Sequence, residues 1–182
     1  MDETREIICN AFQKLAEKKN PDKITVVDIC EQANISRKTF YYYFVDKFDL
    51  FKYIYKDNLV KRMQSHIKKE SWKDVIEHSI NDAIDSREFF DKILGESSVE
   101  FTQIIFEIQY EVYCQELSKY QPDGKLPMQI EAEIYIFLKC GTEYLKHYFQ
   151  TYKDPSYKNV SKLIVGAMPE SLSKLWESKS NP

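Results

Sequence analysis

Glycine and proline are scarce, with only 4 and 6 among 182 residues. A fold of many short strands needs a turn signal about every 8–12 residues, and this chain has too few residues of that kind to supply them. No stretch reaches the roughly 18 uninterrupted apolar residues that a membrane-spanning helix requires. The opening MDETREIICN has neither the basic start nor the apolar run of a signal peptide. The expected setting is therefore the cytoplasm, with no membrane partner. The 4 cysteines, Cys9, Cys30, Cys114 and Cys140, stand apart, without a CxxC pair or a histidine at zinc-finger spacing, and are expected as buried, reduced thiols. His66, His78 and His147 have no acid at a metal-pairing interval. No G-x-S-x-G, P-loop or HExxH segment occurs. Neither a metal, a cofactor nor an enzymatic reaction is expected.

What is present is apolar material at helical spacing. Hydrophobic residues make up 43% of the chain and aromatics 14%, enough for a sizeable core, and their recurrence at intervals of three and four predicts an all-α protein. Net charge is −3, but it is unevenly spread. Residues 1–69 carry 14 Lys and Arg against 10 Asp and Glu, a net of +4, whereas residues 70–182 carry 12 against 19, a net of −7. Only the first part is suited to a polyanion.

The segment TVVDICEQANISRKTFYYYFVDKFDLF, from Thr25 to Phe51, carries the most specific pattern. Thr25 is placed to cap a helix whose third position is Asp28, the reciprocal arrangement that satisfies free amides at a helix start. Val26, Ile29, Cys30 and Ala33 then share one face. Asn34 sits where the chain reverses and tolerates a left-handed backbone. Ser36 is the next cap, and Phe40 and Phe44 give the following helix a buried side. Its other side offers Arg37, Lys38, Thr39, Tyr41, Tyr42 and Tyr43. Two helices joined by a three- to four-residue turn, the second rich in donors, form the layout that enters a DNA major groove.

Elsewhere, a first helix is predicted from about Thr4 to Lys19, with Ile8, Ala11, Phe12 and Leu15 inward. A fourth runs from near Asp46 to about Lys69, with Leu50, Phe51, Ile54, Leu59 and Met63 inward. Ser71, Ser86 and Ser98 open three further segments, and the loop at Gln121–Gly124 closes the last of these. Pro127 suits the first turn of a helix with a wide apolar stripe that includes Ile134, Phe137, Gly141, Tyr144 and Tyr148. A final helical region from about Ser156 aligns Val160, Leu163, Ile164, Ala167, Met168 and Leu172, with Pro169 kinking or splitting it. The expected division is a helix-turn-helix domain over 1–48, a connector helix to about 69, and a helical regulatory and dimerisation domain over 70–182.

Thr39, Phe40, Tyr41, Tyr42, Tyr43 and Phe44, followed by Lys47, fit the signature T-[FL]-Y-x-[HY]-F plus lysine. With Thr25, Ala33, Ser36, Leu50 and Phe51, this run closely resembles the DNA-binding domain of the TetR family of bacterial transcriptional regulators. Asn34 departs from the glycine that the family usually has there. The resemblance implies a three-helix DNA-binding domain, double-stranded DNA with a pseudo-palindromic operator as partner, and phosphate contacts from Thr25, Tyr42 and Lys47, with Ser36 and Tyr41 in the same set. Arg37, Lys38 and Thr39 are placed to face the groove, where Arg can bridge a guanine and Thr can meet a thymine methyl. The two last helices resemble in position the pair that forms the family's homodimer interface. A small-molecule effector is also implied, with Phe101, Phe106, Tyr110 and Tyr144 as candidate contacts. The reading is a repressor released by that effector. The alternative is a TetR-like activator or adaptor governed by a protein partner.

Overall fold

The computed structural model describes residues 3–66, 72–96, 99–119, 121–152 and 159–177, and among these every regular element is helical. The first unit comprises α1 (Glu3–Ala16), a 3-10 turn (Pro21–Lys23), α2 (Val26–Ala33) and α3 (Arg37–Tyr43). After it come α4 (Lys47–His66), α5 (Trp72–Asp85) and α6 (Arg87–Phe90), the last running on as a π-helical segment (Asp91–Glu96). The chain closes with α7 (Val99–Ser118), α8 (Met128–Thr151), α9 (Val160–Gly166) and α10 (Glu170–Glu177).

α1 buries Ile8, Ala11 and Phe12 of the expected stripe, with Leu15 half-buried, and it ends at Ala16 rather than Lys19. Its core meets α4 through Phe12 and Phe51, whose ring centres lie 6.3 Å apart. Phe40 and Phe44 fill the space beneath α3. Truncating a fully buried phenylalanine such as Phe40 costs about 3–5 kcal/mol, so the short α3 is held by its packing rather than its length.

α4 takes part in two cores. Leu50, Phe51, Ile54, Leu59 and Met63 are all buried along it, as the periodicity predicts. Phe101 of α7 reaches across to Phe51 and Phe48, with ring centres 5.0 and 5.1 Å away. Lys92 in the π-helical segment donates to the carbonyl of Glu17 just beyond α1, a second tie between the halves. α7 packs on both α4 and α8, and α5 packs on α9.

The ends of several elements differ from expectation. The predicted start residues Ser71, Ser98 and Ser156, and the end of the connector at Lys69, lie outside the described residues. Pro127 is the residue before α8 rather than part of its first turn, with an extended backbone at φ −58° and ψ 142°. The segment after Ser86 does not stop before Gly95 but widens into the π-helical turn. Pro169 splits the final helix into α9 and α10, since its ring cannot continue the hydrogen-bond ladder. Leu163 and Ala167, aligned with the core stripe in the sequence, are exposed. Gly141 does permit close approach, but by the chain's own α9: a Cβ there would lie 3.3 Å from Ile164 Cγ2. Cys140 is exposed rather than buried; Cys30 is buried, and Cys9 and Cys114 are half-buried, their thiols pushed up to about 11 mainly by burial.

Candidate functional site: a nucleic-acid interface and an interior cavity

The start of α2 is built as its sequence suggests. Thr25 Oγ1 accepts from the Asp28 amide at 3.1 Å, and the Asp28 carboxylate accepts from the Thr25 amide at 2.7 Å. Lys19 stands 2.8 Å from the same carboxylate. The Lys19 ammonium, with the Thr25 amide and hydroxyl, holds the Asp28 carboxyl down at about 2. Asn34 closes α2 in the left-handed region at φ 53° and ψ 48°. The chain then turns into α3, where Ser36 Oγ accepts from the Thr39 amide at 3.0 Å and lies 2.8 Å from the Thr39 hydroxyl.

This turn fixes what α3 shows to solvent. Arg37, Lys38, Tyr41 and Tyr42 are exposed on it, and Tyr42 retains 81% of its accessible surface. The Arg37 guanidinium rests 5.9 Å from the centre of the Tyr41 ring. Ser36 and Thr25 are also exposed, and Thr39 is half-buried with its hydroxyl committed to the cap. Six of the eight residues named from the sequence, Ser36 to Thr39 with Tyr41 and Tyr42, thus lie on α3 and its cap, and Thr25 lies at the start of α2. Tyr43 is half-buried: the Arg5 guanidinium of α1 lies 5.5 Å from its ring centre and 5.3 Å from that of Tyr53.

Lys47 is the exception. Its ammonium is turned inward, donating to the carbonyls of Asp22 at 2.6 Å and Pro21 at 3.1 Å. It also lies 5.2 Å from the Phe48 ring centre and 6.0 Å from that of Phe101. Burial lowers its pKa from the ordinary lysine value. In this position the ammonium braces the 3-10 turn to the start of α4.

The four candidate effector contacts do not come together in one place. A partly open interior cavity of about 60 Å³ is lined by α4, α5, α7 and α8 with parts of α6, α9 and the π-helical segment, and Phe101, Phe106, Tyr110 and Tyr144 are not on its wall. Phe101 belongs to the joint with α4. Phe106 and Tyr110 pack on Tyr135 at 4.9 and 5.6 Å. Tyr144 is exposed and lines a surface groove on α8 and α9. The wall is mostly apolar, aliphatic side chains together with Phe90 and Phe137, with polar residues that include Tyr55, Arg62, Gln109, Tyr113 and Thr142. Gln109 Nε2 donates to the Tyr55 hydroxyl at 3.0 Å, and Thr142 Oγ1 donates to Gln109 Oε1 at 3.1 Å. Burial pushes the Tyr55 phenol up to about 12. The one sequence signal for these polar residues was Gln109 and Thr142 inside apolar helical stripes.

Two surface features complete the site. Ile136, Tyr144 and Leu163 are exposed by 61%, 41% and 58% beside exposed Cys140 and Ala167, forming an apolar groove of about 560 Å³ across α8 and α9. A cleft of about 350 Å³ between α1, α4 and α6 shares Tyr55, Arg62 and Phe90 with the interior cavity. No helix among the described residues is long and apolar enough to cross a membrane.

Comparison with known proteins gives a family match at one end and a fold match throughout. Residues 8–54 match the family of bacterial regulatory proteins, tetR family. The solved structure of the dihydroxyacetone kinase operon activator DhaS is 18% identical, with a TM-score of 0.51, over 100% of this chain and 94% of that one. RolR in complex with resorcinol is 14% identical, with a TM-score of 0.57, over 100% and 95%. FadR from Bacillus subtilis in complex with stearoyl-CoA is 19% identical, with a TM-score of 0.51, over 90% and 99%. At these identities the likeness is one of fold. No curated protein sequence matches the chain.

Proposed function

We propose, from the TetR-family DNA-binding domain that the chain carries and the TetR-type fold of the whole, that this protein is a homodimeric, sequence-specific transcriptional regulator, a repressor that a small molecule releases from its operator. The observation that carries the reading is the outer face of α3, where Arg37, Lys38, Tyr41 and Tyr42 stand exposed on a helix capped and packed from behind. A helix presented in this way can enter a major groove. Arg37 and Lys38 have donors for guanine edges, Thr39 brings its methyl group, and the hydroxyls of Thr25, Ser36, Tyr41 and Tyr42 suit phosphates that set register.

The groove across α8 and α9 supports the dimer. Ile136, Tyr144 and Leu163 form more apolar surface than the monomer covers, and a two-fold partner presenting the same face would bury it in a four-helix bundle. The interior cavity supports a small effector over a protein partner. At about 60 Å³ it is far closer in scale to a ligand such as resorcinol than to an acyl-CoA. Its wall joins α4, the helix that also packs under the DNA-binding unit. The setting is cytoplasmic, where the operator is.

The test is fluorescence anisotropy of labelled promoter DNA flanking the protein's own gene. Nanomolar, salt-sensitive binding that scrambled DNA does not share supports the regulator. Equal binding to both duplexes, or none at low salt, refutes it.

A further inference from the structure

The polar part of the interior cavity has a chemistry of its own. Thr142, Gln109 and Tyr55 form a relay of two hydrogen bonds. A hydroxyl brings one donor and an amide nitrogen brings two, so the relay holds more donors than its internal bonds consume. Turning the Gln109 amide over reverses the direction of the relay and leaves that balance unchanged. The Tyr55 phenol is protonated at neutral pH, as any phenol is, and burial pushes it further up, to about 12. Beside the relay stands Arg62, whose Nη1 lies 3.2 Å from Asp82 Oδ2. Asp82 is half-exposed at the outer side of that pair, and a guanidinium has donors enough to hold a second carboxylate.

Resting on the reading of this cavity as the effector site, we propose that its ligand is a small aliphatic monocarboxylate, held by Arg62 and the Tyr55–Gln109 relay with its hydrocarbon end among Ile76, Ile80 and Leu138. A carboxylate enters an apolar interior only where a cation and hydrogen-bond donors receive it. Here the donors are bonded to one another, Arg62 is close enough to Tyr55 for its charge to act on that phenol, and most of the other lining side chains are apolar. An ammonium compound would meet donors and a like charge. The volume sets the length: a water needs roughly 10–15 Å³ of such space, so about 60 Å³ takes on the order of five heavy atoms. Arg62 and Tyr55 also line the cleft between α1, α4 and α6, which gives the carboxylate a path in from solvent past the cation that binds it.

The experiment is thermal melting of the full chain with butyrate, butylammonium or 2-butanone, at matched ionic strength. Butyrate should raise Tm saturably and the other two should not. Arg62→Gln should abolish the butyrate shift. Gln109→Leu, which leaves Arg62 in place, should raise the half-saturating concentration about tenfold, and it keeps the test open should Arg62→Gln fail to fold. No saturable butyrate shift, an equal shift from butylammonium or 2-butanone, or an unaltered response in Gln109→Leu overturns the assignment. DNA binding is read separately: a protein stabilised by butyrate that stays on its operator would contradict the effector reading and leave the ligand class standing.

Discussion

At the scale of single residues, exposure separates side chains placed to read DNA from those that hold the fold. Arg37 is exposed at the first position of α3, its guanidinium 5.9 Å from the Tyr41 ring centre, and is placed to swing onto a base edge. Arg37→Ala should therefore lower the preference for operator over random DNA by about 1–3 kcal/mol. Competition titration checks this, and an equal loss on both duplexes would assign Arg37 to phosphates. Lys47 belongs to the other class. Its two bonds to the Pro21 and Asp22 carbonyls brace the joint, so Lys47→Met should cost about 1–3 kcal/mol of stability, a fall of several degrees in Tm. The salt slope of DNA binding should stay as in the parent. A slope reduced by about one would restore the phosphate contact that the TetR resemblance implies.

At the scale of elements, the caps were legible in the sequence because they are local. Thr25, Asp28, Asn34 and Ser36 act within four residues of themselves, and each takes the conformation its chemistry favours. Asp28 gives the α2 cap a pH signature. Its folded pKa of about 2 lies below the ordinary 3.8. Its contribution is thus full above about pH 4 and is lost as pH falls toward 2. In this largely solvated setting it is worth about 1 kcal/mol. Asp28→Asn should be less stable than the parent at pH 6, and the gap should close by pH 2, as urea melts at each pH will report. A constant gap would mean that the charge plays no part.

The element faces were harder to read, because periodicity marks an apolar stripe without saying what covers it. Leu163 and Ala167 fall on the same sequence stripe as Ile164 and Met168, yet only the latter two are buried. The cavity wall was hidden for a related reason: it forms where α4, α5, α7 and α8 converge, and aromatic Phe106 and Tyr110 turn toward Tyr135 instead. The exposed face of α8 and α9 has its own test. Leu163→Glu leaves the core untouched and sets two like charges into the proposed bundle, so sedimentation should show monomers where the parent shows dimers. A dimeric Leu163→Glu protein would place the interface on another surface.

At the scale of the whole molecule, the charge division follows the structure. The part with net charge +4 contains α1 to α4 and the exposed face of α3, while the remainder, at −7, supplies the groove across α8 and α9 and most of the cavity wall, to which α4 adds Tyr55, Leu59 and Arg62. Net charge −3 for the chain conceals a basic part joined to an acidic one. The coupling has visible links: Phe101 on Phe48 and Phe51, Lys92 on the Glu17 carbonyl, and α4 in both cores. Such joints can carry a change of cavity shape to the spacing of two α3 helices. The measurement that bears most directly on a paired, DNA-reading α3 is hydroxyl-radical footprinting on the DNA flanking the protein's own gene. Two protected patches should appear, related by a pseudo-palindrome and centred about 10 base pairs or a multiple of that apart. A single unsymmetrical patch, or uniform protection without preferred sites, would contradict it.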